Sequence, residues 1–392
     1  MTKGTTERRT RATVILLVGA SVGLAIAGCK GGDGAKGGQV RDGVAGDGGS
    51  APAVAPITPA ATTTPAPVAQ VNRSAMRERA ISILVDAGLS RDPLMRANAL
   101  EGLIPAPKRL EPMARAAIGD ENIGVRYAAC IVIGKTKLCD AASNVEPLLR
   151  DPDPRVAAGA MYALTRCGRS VNLTPLSRDL QHPDMRVRSE AARVLGEIGN
   201  ASAAPMLRAA AGRADIGSPL ENKLFRLQVA EALVKLGELD MGDTVRAALL
   251  PASRNDYECS LLAAQILGEL KDHRAVRDLI RVIELREETT GPAAPPNSPR
   301  TKAAEGPYVH PKELRLAAAG ALGKMGYGDG VYVAIENAGD SDPMIRELCA
   351  AVMGAAGNGQ TLGELAKLMD DPEARVRLSA AAAALRLLDK AG

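Results

Sequence analysis

The chain has 392 residues, with 49 Lys and Arg against 45 Asp and Glu, one Phe and no Trp. The first 28 residues hold four of the cations and one carboxylate, so the remainder is balanced at 45 against 44. A near-neutral chain gives no argument for nucleic acid or an anionic surface as partner, and 2% aromatic residues leave little with which to build a flat stacking pocket.

Lys3, Arg8, Arg9 and Arg11 precede an apolar run from Val14 to Ala27. The run falls short of the about 20 residues that cross a hydrocarbon core, but it suits the apolar stretch of an export signal. It ends in Ile26-Ala27-Gly28-Cys29, which resembles the lipobox of bacterial lipoproteins. That resemblance implies cleavage after residue 28 and a diacylglycerol on the Cys29 sulfur. The expected location is the cell envelope, lipid-anchored on the periplasmic or outer-surface side. Residues 29–72 are Gly- and Asp-rich, then rich in Pro, Ala and Thr, and cannot bury enough apolar surface to offset chain entropy. They read as a tether with a root-mean-square span of roughly 35 Å.

From residue 73 onward a thirteen-residue pattern returns nine times, as in Val187-Arg188-Ser189-Glu190-Ala191-Ala192-Arg193-Val194-Leu195-Gly196-Glu197-Ile198-Gly199. The apolar residue that opens each copy serves as its anchor: Met95, Val125, Val156, Val187, Phe225, Cys259, Leu314, Ile345 and Val376. Most spacings are 30 or 31 residues, the signature of a solenoid whose repeats bury their apolar faces against neighbours. Apolar residues at steps of three and four predict a helix per copy. Glycine at the thirteenth place (Gly168, Gly199, Gly237, Gly326, Gly357) predicts a left-handed helix end. A second helix precedes each copy, opened by proline as in Leu173-Thr174-Pro175 and Ala204-Pro205. Turns such as Asp151-Pro152-Asp153-Pro154 and Asp340-Ser341-Asp342-Pro343 join the two and supply an N-cap.

Two antiparallel helices per 30-odd residues, with Asp-Pro in the turn and Val-Arg opening the second helix, resemble HEAT repeats, in particular the short class named after phycobilisome lyases. The resemblance implies an all-α, right-handed α-solenoid of about nine helix pairs over 73–392. Stacked at about 10 Å per pair, these predict a curved rod some 90 Å long. It also implies that the arginine after the anchor (Arg96, Arg126, Arg188, Arg226, Arg315, Arg346, Arg377) is a structural ladder. The nearest partners in sequence are turn aspartates such as Asp92, Asp184 and Asp342, four residues earlier.

The spacing stretches twice, around 214–219 and across 286–311, where five prolines precede Tyr308-Val309-His310. The second stretch reads as an inserted loop, with Tyr308 as a candidate contact. His182, His273 and His310 are scattered, and no metal-ligand spacing, phosphate loop or nucleophile elbow appears in the chain. The reading is therefore non-enzymatic, with no cofactor, metal or nucleic acid. Cys130, Cys259 and Cys349 fall on apolar faces. Cys139 and Cys167 lie near turns of adjacent repeats and have the option of pairing in an oxidising compartment, which nothing in their spacing requires. The expected function is a membrane-anchored scaffold for a protein or peptide. Its concave helices would offer Glu190, Arg193, Glu197, Glu231, Lys235, Gln265 and Glu269 as candidate contacts. The alternatives are a purely structural envelope component and, through the lyase resemblance, a tetrapyrrole-handling protein.

Overall fold

The computed structural model describes residues 72–213, 216–250, 256–284 and 310–390. The export signal, Cys29, the tether up to residue 71, and Tyr308 with nearly all of the 286–311 insert lie outside the described residues. Within them the secondary structure is helical throughout, in nine antiparallel pairs. The outer helices are α1 (Arg73–Gly88), α3 (Pro107–Ala117), α5 (Ala142–Val145), α7 (Thr174–Asp179), α9 (Ala204–Gly212), α11 (Met241–Leu249), α13 (Val276–Glu284), α15 (Val331–Asn337) and α17 (Thr361–Leu368). The inner helices carry the thirteen-residue pattern: α2 (Pro93–Gly102), α4 (Ile123–Thr136), α6 (Pro154–Arg166), α8 (Met185–Ile198), α10 (Pro219–Lys235), α12 (Tyr257–Leu270), α14 (Lys312–Lys324), α16 (Pro343–Ala356) and α18 (Ala374–Lys390).

The local signals act as their chemistry requires. Asp92, Asp153, Asp184 and Asp342 accept the second backbone N–H of α2, α6, α8 and α16 at 2.8–2.9 Å, and so satisfy a donor that has no intrahelical partner. Gly168, Gly199, Gly237 and Gly326 are left-handed, at φ between 76° and 102°. Gly357 is extended instead, and Lys137 and Lys271 take the left-handed position in their own repeats. The third outer helix is broken into 3-10 turns on either side of the four-residue α5, so Pro147 opens a 3-10 turn there instead of an α-helix.

Close approach of the inner helices depends on a glycine nine residues after the anchor. A Cβ at Gly196, Gly268 or Gly354 would lie 2.8 Å from the Cα of Ala232, Ala321 or Ala383 on the next inner helix, well inside van der Waals contact. Alanine on one helix against glycine on the next fills the core without large side chains. The result is a continuous apolar layer between the outer and inner helices, with Leu84, Ile133, Leu195, Leu233, Leu322 and Met353 at 3% exposure or less.

The expected rod is not what forms. Each inner helix packs on the next from α2 round to α18, and α18 then packs on both α2 and α1, so the nine pairs close into a ring. The seam is apolar at its centre, where Gly102 of α2 faces Ala382 of α18 across buried Leu84. Arg79–Asp370, Arg77–Asp389 and Arg375–Asp92 pair across its rim. The physical reason is cumulative. Bulky outer faces and Gly/Ala inner contacts wedge each pair against the next, and nine wedges of one sense complete a turn.

Candidate functional site: the central opening

The arginine after the anchor builds the frame of the ring, but its partner differs from the nearest one in sequence. Arg96, Arg126 and Arg346 each place Nη1 on two backbone carbonyls of their own turn. Nε and Nη2 then reach a carboxylate of the following repeat: Asp120, Asp151 and Asp371, at 2.7–3.0 Å. The residue four places earlier (Asp92, Asn122 or Asp342) is occupied with capping its own helix. Arg188 binds the carbonyls of His182 and Pro183 and lies 5.3 Å from the ring centroid of Phe225. Arg226 and Arg315 donate to the carbonyls of Ala211 and Ile283, and Arg377 to those of Asp371 and Pro372. Arg226 and Arg315 thus join the two helices of a pair, and the others join helices to turns.

The second polar layer lies on the axis of the ring, where residues six and ten places after the anchor face inward. Lysine at the tenth place reaches back to a carboxylate on the preceding inner helix. Lys135 Nζ is 3.7 Å from Glu101, Lys235 is 2.6 Å from Glu197 and also from Glu231 of its own helix, and Lys324 pairs with Glu269. Burial alone would raise the Glu197 and Glu269 carboxyls, and the facing lysines outweigh it to bring both below their ordinary values. Beside them Glu190 accepts from Tyr127 Oη at 2.7 Å and from Arg193 Nε and Nη2 at 3.0 and 2.7 Å, while Arg193 lies over the Tyr162 ring. This network ties α4, α6 and α8 together. Tyr127 reaches α8 because Gly159 of α6 leaves room for its ring.

The candidate contacts therefore fare unequally. Six of the seven stand at these inward places, and Glu190 lies three places after its anchor; Glu190 and Glu231 are buried and held in ion pairs, so they are not the accessible surface the sequence suggested. Arg193, Glu197 and Lys235 are partly covered and paired. Gln265 and Glu269 line an open cavity of about 210 Å³ together with Glu101, Lys135, Lys324 and Arg386. Its apolar wall includes Ile104, Leu316, Leu348 and Val352. Arg386 escaped notice in the sequence, although its place ten residues after Val376 matches that of Lys135, Lys235 and Lys324.

Cys139 and Cys167 form a disulfide, with Cα atoms 5.3 Å apart, between the start of the third outer segment and the end of α6. Cys130, Cys259 and Cys349 are buried thiols, and burial pushes the Cys259 thiol up to about 11. Among the described residues no helix is long and apolar enough to cross a membrane, and no cluster of three or more His, Cys, Asp or Glu side chains is arranged to hold a metal ion.

Residues 78–165, 142–217 and 310–386 match the model of the HEAT repeats, together more than half of the chain. The chain is a HEAT-repeat protein. Among solved structures this HEAT-repeat chain is similar to the complex of CpcE and CpcF of phycocyanin lyase from Nostoc sp. PCC7120. The identity is 18%, over 68% of this chain and 91% of that one, with a TM-score of 0.34. It is also similar to human deoxyhypusine hydroxylase in complex with glycerol, at 18% identity over 81% and 98% of the two chains and a TM-score of 0.33. At these scores neither likeness bears on what this HEAT-repeat chain binds or does. No curated protein matches its sequence.

Proposed function

We propose that this HEAT-repeat protein is a non-catalytic scaffold, anchored by lipid at the cell envelope, that binds a protein or peptide at its central opening. The observation that carries the binding role is the opening itself, where solvent-reaching Lys135, Glu269, Lys324 and Arg386 ring an apolar-walled cavity. HEAT repeats are in general surfaces for protein contact, and mixed charge of this kind favours a partner of matching mixed charge. The envelope location rests on the basic, apolar and Ile-Ala-Gly-Cys features of residues 3–29. The Cys139–Cys167 pair supports it, since disulfides persist in oxidising compartments.

The test is a crosslinking capture from native envelope membranes with the intact chain and with Lys324→Glu. A partner recovered by the intact chain and lost with the variant supports the reading. Equal recovery contradicts a role for the opening, and no specific partner contradicts the scaffold. In parallel, Cys29→Ser is expected to move the chain from the membrane fraction to the soluble fraction; unchanged sedimentation contradicts the lipid anchor.

A further inference from the structure

Arg386 breaks the pairing rule of the central opening. Its counterparts Lys135, Lys235 and Lys324 each meet a glutamate on the preceding inner helix. The helix preceding Arg386 is α16, and it carries Ala351 and Ala355 at the two places where the others carry those glutamates. Both alanines line the cavity beside Arg386. Among the described residues the only hydrogen bond of the guanidinium runs from Nε to the Ala382 carbonyl of its own helix, at 3.3 Å. Three cations and two carboxylates line the cavity, so its lining carries a net positive charge, and Arg386 is the cation with no carboxylate on the preceding inner helix.

The opposite need stands on the same walls. Glu101 Oε1, which Lys135 Nζ approaches only to 3.7 Å, and Gln265 Oε1 are buried acceptor oxygens without a hydrogen-bond partner. Buried acceptors are normally satisfied by protein, water or ligand. The two lie on inner helices that are not neighbours round the ring, and both line this cavity.

We propose that the cavity binds the α-carboxylate group of an apolar amino acid or of a peptide's last residue. The ligand carboxylate takes the place left by Ala351 and Ala355 against Arg386, where a guanidinium can donate two parallel hydrogen bonds. The adjacent ammonium or amide N–H donates to Glu101 and Gln265. The apolar side chain lies on Leu316, Leu348 and Val352. A free amino acid and a chain terminus present the same group, so the inference does not depend on the scaffold reading.

The test is isothermal titration of the full-length protein with valine, with Gly-Gly-Val, with its C-terminal carboxamide, and with acetate. Valine or Gly-Gly-Val is expected to bind, and the carboxamide and acetate at least ten-fold more weakly. Valine binding identifies a free amino acid as the source, and Gly-Gly-Val binding without valine identifies a chain terminus. Arg386→Met, and Ala355→Glu, which supplies the missing carboxylate internally, should each weaken binding at least ten-fold while the thermal midpoint shows the ring intact. Absence of binding by both valine and Gly-Gly-Val overturns the proposal. So does binding that survives amidation or either substitution, or acetate that binds as tightly as the best ligand.

Discussion

Arg346 donates from Nε and Nη2 to the two carboxylate oxygens of Asp371, 25 residues further along the chain, and this pair is one rung of the ladder that joins neighbouring repeats. At one interruption of the ladder both partners change together. Ala157 replaces the arginine, and His182 stands 25 residues on, where its imidazole Nδ1 accepts from the backbone N–H of Asp184 as Asp371 accepts from that of Glu373. At this rung no aspartate is left without its arginine, which matters because removing one partner of a largely buried pair costs more than removing both.

Hydrogen bonding from Arg346 holds the Asp371 carboxyl below its ordinary value. The stability it contributes is present above the ordinary carboxylate range and is lost as pH falls through the lowered value. Asp371→Asn should therefore flatten the loss of stability below about pH 4. Asp371→Ala should cost about 2 kcal/mol at pH 7. Urea unfolding at pH 7 and pH 3 checks both, and equal slopes in variant and wild type would contradict the assignment.

Glu347 titrates in the other direction. Burial pushes its half-buried carboxyl from 4.5 up to about 7, with Arg375 opposing the shift. The folded state then holds the proton more tightly than the unfolded one. Stability is full below pH 4.5, declines as pH rises towards 7, and is level beyond. Glu347→Gln should remove that decline, measured as the thermal midpoint between pH 4.5 and 8.

The disulfide closes a loop across a sequence separation of 28 residues. Constraining such a loop in the unfolded chain contributes about 3–4 kcal/mol. Cys139→Ser should lower stability by that order in an oxidising buffer and by nothing in excess reductant, where the wild type falls to meet it. Urea midpoints with and without dithiothreitol read the difference.

Lys271 ends α12 at φ 51°, where four other repeats place a left-handed glycine. A non-glycine residue there costs about 1–2 kcal/mol, and the side chain is exposed with no ion pair among the described residues. Lys271→Gly should stabilise the protein by about 1 kcal/mol, and Gly199→Ala should destabilise it by a similar amount. Denaturant melts of the two variants should move in opposite directions.

The helix pairs were legible in the sequence because each signal is local: the anchor periodicity, the capping aspartates and the thirteenth-place glycines act within a few residues. The partner of Arg346 was not, because the nearest aspartate in sequence, Asp342, is engaged in capping α16 while the true partner lies in the next repeat. The burial of Glu190 was not legible, because Tyr127, 63 residues away, reaches it across Gly159. Ring closure was also hidden. It depends on the small angle each repeat adds, and no single repeat encodes a seam between Gly102 and Ala382.

That seam carries the account, because an open solenoid has no central opening in which Glu101, Gln265 and Arg386 share one cavity. The direct measurement is the spin–spin distance between labels at Arg79→Cys on α1 and Asp370→Cys at the end of α17, which pair across the seam. Closure predicts a narrow distribution within about 20 Å, the width of two packed helices with label arms. A distribution centred towards the about 90 Å of an extended stack of nine pairs would contradict it.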